Sequence, residues 1–116
     1  VRNGPPYPLD KTGKSDTIVT KTIKGHTAPS KRDEPDSVVD HVTSDGSVKT
    51  RAFYDGDGWK VKEIHTTDHG NPKHHSYGRH GEHVHYYEWD HETGKQISNK
   101  QEEIPPDLRK ENDDIL

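Results

Sequence analysis

Cysteine and methionine are both absent from this chain of 116 residues. Without cysteine there is no disulfide, no thiolate zinc site and no cysteine nucleophile, and nothing marks the redox compartment. Beginning at Val1 and lacking any methionine, the chain reads as a piece of a longer protein. Aliphatic residues are scarce too: three Leu, six Ile and eight Val, with a single Phe. That is about one residue in six, below the roughly 20% at which a chain struggles to bury enough apolar surface to offset its ordering entropy. The net charge of −4 is modest, so composition stops short of predicting disorder. Apolar runs of two or three residues at most exclude a membrane-spanning helix and a signal-peptide core. Room remains for one small domain with a small core.

Histidine is what the chain has in excess. Ten are present, and eight of them fall between His65 and His91. Imidazole changes charge near neutrality and is the commonest metal ligand. So dense a cluster without cysteine points to acid–base chemistry, metal binding or pH sensing.

The first 45 residues read as a weakly ordered lead-in. Pro5-Pro6-Tyr7-Pro8 is extended, 17–23 is β-branched enough for one strand, and 28–36 is a Pro- and charge-rich loop. From 46 to 100 the pattern predicts a His-rich β core. Residues 48–54 and 59–65 form a hairpin across the Asp55-Gly56-Asp57-Gly58 turn, and 83–89 forms a third strand. The Asp55 turn resembles an EF-hand loop only faintly, since the twelfth place, which needs a bidentate Glu, holds Thr66. Between the strands lies a Gly/Pro/His loop, 66–82. Residues 101–116 are an acidic tail in which Pro105-Pro106-Asp107 introduces a short helix over 108–115. The expected fold class is α+β: a small antiparallel sheet of about 3–5 strands with short helices at its margins.

Alternation along 83–89 puts His83, His85, Tyr87 and Trp89 on one side, with Val84 and Tyr86 on the other. If the second and third strands pair, His65 falls near His83. The loop between them adds Asp68, His69, Lys73, His74, His75, Arg79 and His80. Two chemistries suit this face. In one, paired histidines cleave RNA without metal: a neutral ring takes the ribose 2′-OH proton, a protonated ring gives one to the leaving 5′-oxygen, and Lys73 or Arg79 steadies the phosphorane. In the other, Asp68, His69, His83 and His85 hold a divalent metal such as Zn. Trp59 and Trp89 serve as core anchors, with base stacking as their alternative use. One feature opposes RNA: from Gly58 to His91 the cations Lys60, Lys62, Lys73 and Arg79 are outnumbered by Glu63, Asp68, Glu82, Glu88 and Asp90. Protonated histidines would reverse that balance.

Phe53-Tyr54-Asp55-Gly56-Asp57-Gly58, then Asp68-His69-Gly70, then His83-Val84-His85 and Trp89, resembles the C-terminal toxin domains of bacterial polymorphic toxins of the Rhs, LXG and phage-associated kind. The match covers about residues 48–95. The resemblance implies a ribonuclease of barnase/EndoU/colicin/RelE-like fold used in interbacterial competition. It also implies a larger secreted or injected parent with an N-terminal delivery region, a cognate immunity protein, and action in a target cell's cytoplasm. Carried across by position, Asp68, His69, His83 and His85 become active-site candidates, with Gly70 and Trp89 as scaffold. Together with the reading of the residues, this gives a metal-independent endoribonuclease needing no cofactor. Its catalytic set is His83, His85, His69, His65 and Asp68, and its RNA-binding set is Lys73, Arg79, Tyr87 and Trp89. The alternatives are a metal-dependent nuclease, or a non-enzymatic binding module that responds to metal or pH.

Overall fold

The computed structural model describes residues 17–67 and 80–116. It divides into two compact units, one over 19–104 and a smaller one holding Thr17, Ile18 and 105–116. The larger unit is a six-stranded sheet: β1 (Lys21–Lys24), β2 (Val38–Val42), β3 (Val48–Tyr54), β4 (Lys60–His65), β5 (His83–Trp89) and β6 (Gln96–Glu102). Strands lie side by side in chain order, antiparallel from β2 onward, with β1 parallel to β2.

A parallel pair needs a crossover of about a dozen residues. The Pro- and charge-rich segment 25–37 supplies it and runs over one face of the sheet. There the Tyr54 hydroxyl donates to the Ser30 carbonyl and the Lys60 ammonium donates to that of Pro29. Beneath the crossover lies the small apolar core of that face, Val39, Ala52 and Tyr54, with Ile23 packed against it. Directly opposed residues share a face, so the opposite face carries the row Asp40, Arg51, Ile64, Val84. All four are buried. Arg51 grips Asp40 with two charge-assisted bonds, Nε to Oδ1 at 2.7 Å and Nη2 to Oδ2 at 2.9 Å.

The α+β, mostly-β class expected from the sequence is the class observed. The sheet, however, has six strands rather than about 3–5, and it is mixed rather than wholly antiparallel. Residues 17–23 contribute a shorter and later strand, β1. β2 went unseen because its buried positions include Asp40 and His41, which break the apolar alternation that marks a strand. β6 went unseen because it is an edge strand of almost entirely polar residues. The helix of the smaller unit, α1 (Pro106–Glu111), starts earlier and is shorter than expected. Pro106 at its first turn needs no hydrogen-bond partner there, and Asn112 closes it by donating from its backbone and side chain to the Leu108 carbonyl.

The turn after β3 forms as the sequence predicts. The Asp55 carboxylate accepts from the backbone N–H groups of Asp57 and Trp59, each at 2.9 Å. Gly58 has φ +84°, and any side chain there would collide with the Asp33 carbonyl. Just beyond, pairing slips between Phe53 and Tyr54: Lys62 faces Phe53, but Lys60 faces Tyr54, leaving Val61 as the extra residue of a β-bulge. In a regular strand positions 60 and 63 point to opposite faces. The bulge puts Lys60 on the same face as Glu63, 3.3 Å from its carboxylate.

Candidate active site

Two rows of side chains cross the face that carries Tyr54. Thr50 opposes His65, which opposes His83, while Ala52 opposes Glu63, which opposes His85. Register alone therefore assembles three imidazoles and a carboxylate. The ring centroids of His65 and His85 lie 4.5 Å apart, those of His83 and His85 4.9 Å, and those of His65 and His83 5.0 Å. One ring nitrogen from each lies within 4.8 Å of one from both others. His83 is fully buried, whereas His65 and His85 are partly open to solvent.

Each ring is oriented by a different acceptor. His65 donates from Nε2 to the Glu63 carboxylate at 3.1 Å. His83 donates from Nδ1 to the Gly81 carbonyl at 2.8 Å, and His85 from Nδ1 to Oδ1 of Asn99 at 2.8 Å. A neutral imidazole has one N–H and one lone pair. These bonds therefore assign the lone pairs to Nδ1 of His65, Nε2 of His83 and Nε2 of His85.

Glu63 is buried and serves as the hub. Besides His65 it accepts from the Tyr87 hydroxyl at 3.1 Å and from Lys60 at 3.3 Å. Burial alone would raise its pKa, but the bond from His65, the charge of Lys60 and the bond from Tyr87 prevail and hold it down to about 2. The same burial and the neighbouring carboxylate push the Tyr87 phenol well above its usual range. Glu63 is thus an anion throughout the neutral range, and Tyr87 a neutral donor.

From His85 the face continues as an aromatic row. His85 stacks on Tyr87 at 6.0 Å, Tyr87 on Trp89 at 5.7 Å, and Trp89 on Trp59 at 6.1 Å. Trp59 is buried; it stacks on His91 at 4.7 Å and lies under the Arg32 guanidinium at 4.3 Å. Trp89 is half-buried and donates its indole N–H to the Lys60 carbonyl. A shallow groove beside the row is lined by Tyr87, Trp89, Trp59, His91 and the carboxylates Asp55 and Glu88.

Of the residues singled out from sequence, His65, His83, His85, Tyr87 and Trp89 thus share one continuous face. Asp68, His69, Lys73 and Arg79 lie outside the described residues, so the alternative metal set is represented here by His83 and His85 only. Sequence reasoning missed three contributors. Glu63 was legible in principle, two residues before His65 on the same strand face. Lys60 reaches the site only through the bulge at Val61, and Asn99 lies on β6, so neither left a periodic signal. Among the described residues no helix is long and apolar enough to cross a membrane. Comparison with known proteins adds no relative: no family model, no curated protein and no solved structure matches the chain.

Proposed function

We propose that the chain is the nuclease domain of a bacterial toxin, an endoribonuclease whose His65–His83–His85 cluster cleaves RNA without a metal. The observation that carries this reading is the convergence of three imidazoles, one nitrogen of each within 4.8 Å of one from both others and each ring held by its own acceptor. Two charged rings 4.5 Å apart would repel by about 3–4 kcal/mol at an effective dielectric constant of about 20. Charging both rings at once is therefore disfavoured, and a base and an acid working together require one ring of each kind.

His65 is the base. Its Nδ1 lone pair takes the 2′-OH proton as the 2′-oxygen attacks phosphorus, and Glu63 balances the imidazolium that forms. His85 is the acid, giving the proton on Nε2 of its charged ring to the 5′-oxygen as the P–O5′ bond breaks. The products are a 2′,3′-cyclic phosphate and a free 5′-hydroxyl. Buried His83 packs against both rings and positions them. Lys73 and Arg79 are the cations that the sequence offers to the phosphorane, and Tyr87 and Trp89 offer faces on which an adjacent base stacks.

A barnase/EndoU/colicin/RelE-like fold, a delivery region ahead of this domain, an immunity protein and release into a target cell belong to the same proposal. They rest on the resemblance of the 53–58, 68–70 and 83–89 motifs to polymorphic toxin domains. The test is total RNA incubated with the purified chain in excess EDTA and resolved on a gel. Degradation is expected, reduced at least 100-fold in His85→Ala and in His65→Ala. RNA left intact both with and without chelator from about pH 5.5 to 8, a range spanning the ordinary histidine titration, would overturn the reading.

A further inference from the structure

We propose that His65, His83 and His85 are also a binding site for a divalent transition-metal ion of the Zn2+ type, and that occupancy switches cleavage off. The inhibitory half rests on the nuclease reading; the binding half does not.

Three neutral imidazoles suit Zn2+, Ni2+ or Cu2+, whereas Mg2+ and Ca2+ take oxygen ligands. What stands behind the rings favours the same ion. A metal-bound histidine almost always donates its other N–H to a carboxylate, a carbonyl or a water, which fixes the tautomer and strengthens the ligand. All three rings do so here, to Glu63, the Gly81 carbonyl and Asn99. A pair of acid–base histidines requires no such complete set. Ligands at about 2.1 Å from a tetrahedral Zn2+ lie roughly 3.4 Å from one another. One nitrogen of each ring already lies within 4.8 Å of one from both others, close to that spacing before any ion is bound.

Three protein ligands leave a fourth position open, as in exchangeable and catalytic sites rather than structural ones. An ion held there occupies the lone pair with which His65 would accept the 2′-OH proton. Metal binding and proton transfer are therefore competing uses of the same nitrogens.

The experiment titrates chelator-stripped full chain with Zn2+ by calorimetry and with Co2+ by its visible absorption. One ion per chain is expected, with a tetrahedral Co2+ spectrum. His85→Ala, a change at a partly exposed ring and checked for folding by circular dichroism, should abolish both signals. Asn99→Ala and Glu63→Gln keep all three ligands and should weaken binding about 10- to 100-fold. Undiminished binding in His85→Ala, or binding lost only in a His74→Ala/His75→Ala double variant, would overturn the site. RNA cleavage by the stripped protein should fall with the same Zn2+ midpoint as binding, and that midpoint should rise in Asn99→Ala. Cleavage that is unchanged or enhanced at full occupancy would overturn the inhibitory half. No cleavage by the stripped protein would sink the nuclease reading, and the inhibitory half with it, while the binding curve would still stand.

Discussion

Glu63 shows how one side chain can set the state of its neighbours. It is buried, yet three donors, from Lys60, His65 and Tyr87, keep it ionised. Its carboxyl titrates near 2 in the fold against an ordinary 4.5. The ionised form therefore stabilises the fold at every pH above about 4.5, and the contribution drains away as pH falls towards 2. The difference corresponds to about 3 kcal/mol. In urea unfolding followed in EDTA, wild type should lose about that much between roughly pH 5 and 2 relative to Glu63→Gln. Parallel pH profiles for the two proteins would contradict the assignment. Tyr87→Phe removes one donor and leaves the ring; a cost of about 1–2 kcal/mol is expected from equilibrium unfolding.

At the scale of elements, the sheet is held where an apolar pattern would not suggest it. The β2–β3 pairing buries Asp40 against Arg51 instead of two aliphatics. Arg51→Met alone strands a buried carboxylate and should cost about 3–5 kcal/mol, whereas Asp40→Leu with Arg51→Met should cost far less. Calorimetric unfolding of both variants checks this, and equal losses would contradict it. This pair also explains what the sequence concealed. β3, β4 and β5 were legible because Phe53-Tyr54, Val61 and Ile64, and the His83–Trp89 alternation mark strands, and the Asp55-Gly56-Asp57-Gly58 turn joins two of them. β2 hides its charged pair inside, and polar β6 presents no alternation. The same limits apply to the site: the clustering of His65, His83 and His85 follows from register, but Lys60 needed a bulge and Asn99 an unmarked strand. Deleting Val61 would remove the bulge and leave Lys60 two positions from Glu63, so still on its face. The three-histidine metal signal is expected to survive that deletion, and its loss would contradict the register.

For the whole molecule, the balance of charge would limit how the proposed RNA substrate is held. Net charge is −4, and acids line the groove beside Tyr87 and Trp89. Affinity must come mainly from stacking and a few phosphate contacts, so it should fall only gently with salt. With two or three phosphates neutralised, log K against log salt should slope at about −1.4 to −2.1 for a non-cleavable 2′-O-methyl strand. A slope of −5 or steeper would contradict this. The central claim is that imidazoles on β4 and β5 pass protons at a ribose phosphodiester. Mass analysis of the ends produced from one defined oligoribonucleotide in EDTA examines it most directly. Expected are 2′,3′-cyclic phosphate and 5′-hydroxyl ends, none from the 2′-O-methyl strand and none above background with His85→Ala. Ends bearing a 5′-phosphate and a free 3′-hydroxyl, or an uncut strand, would contradict it.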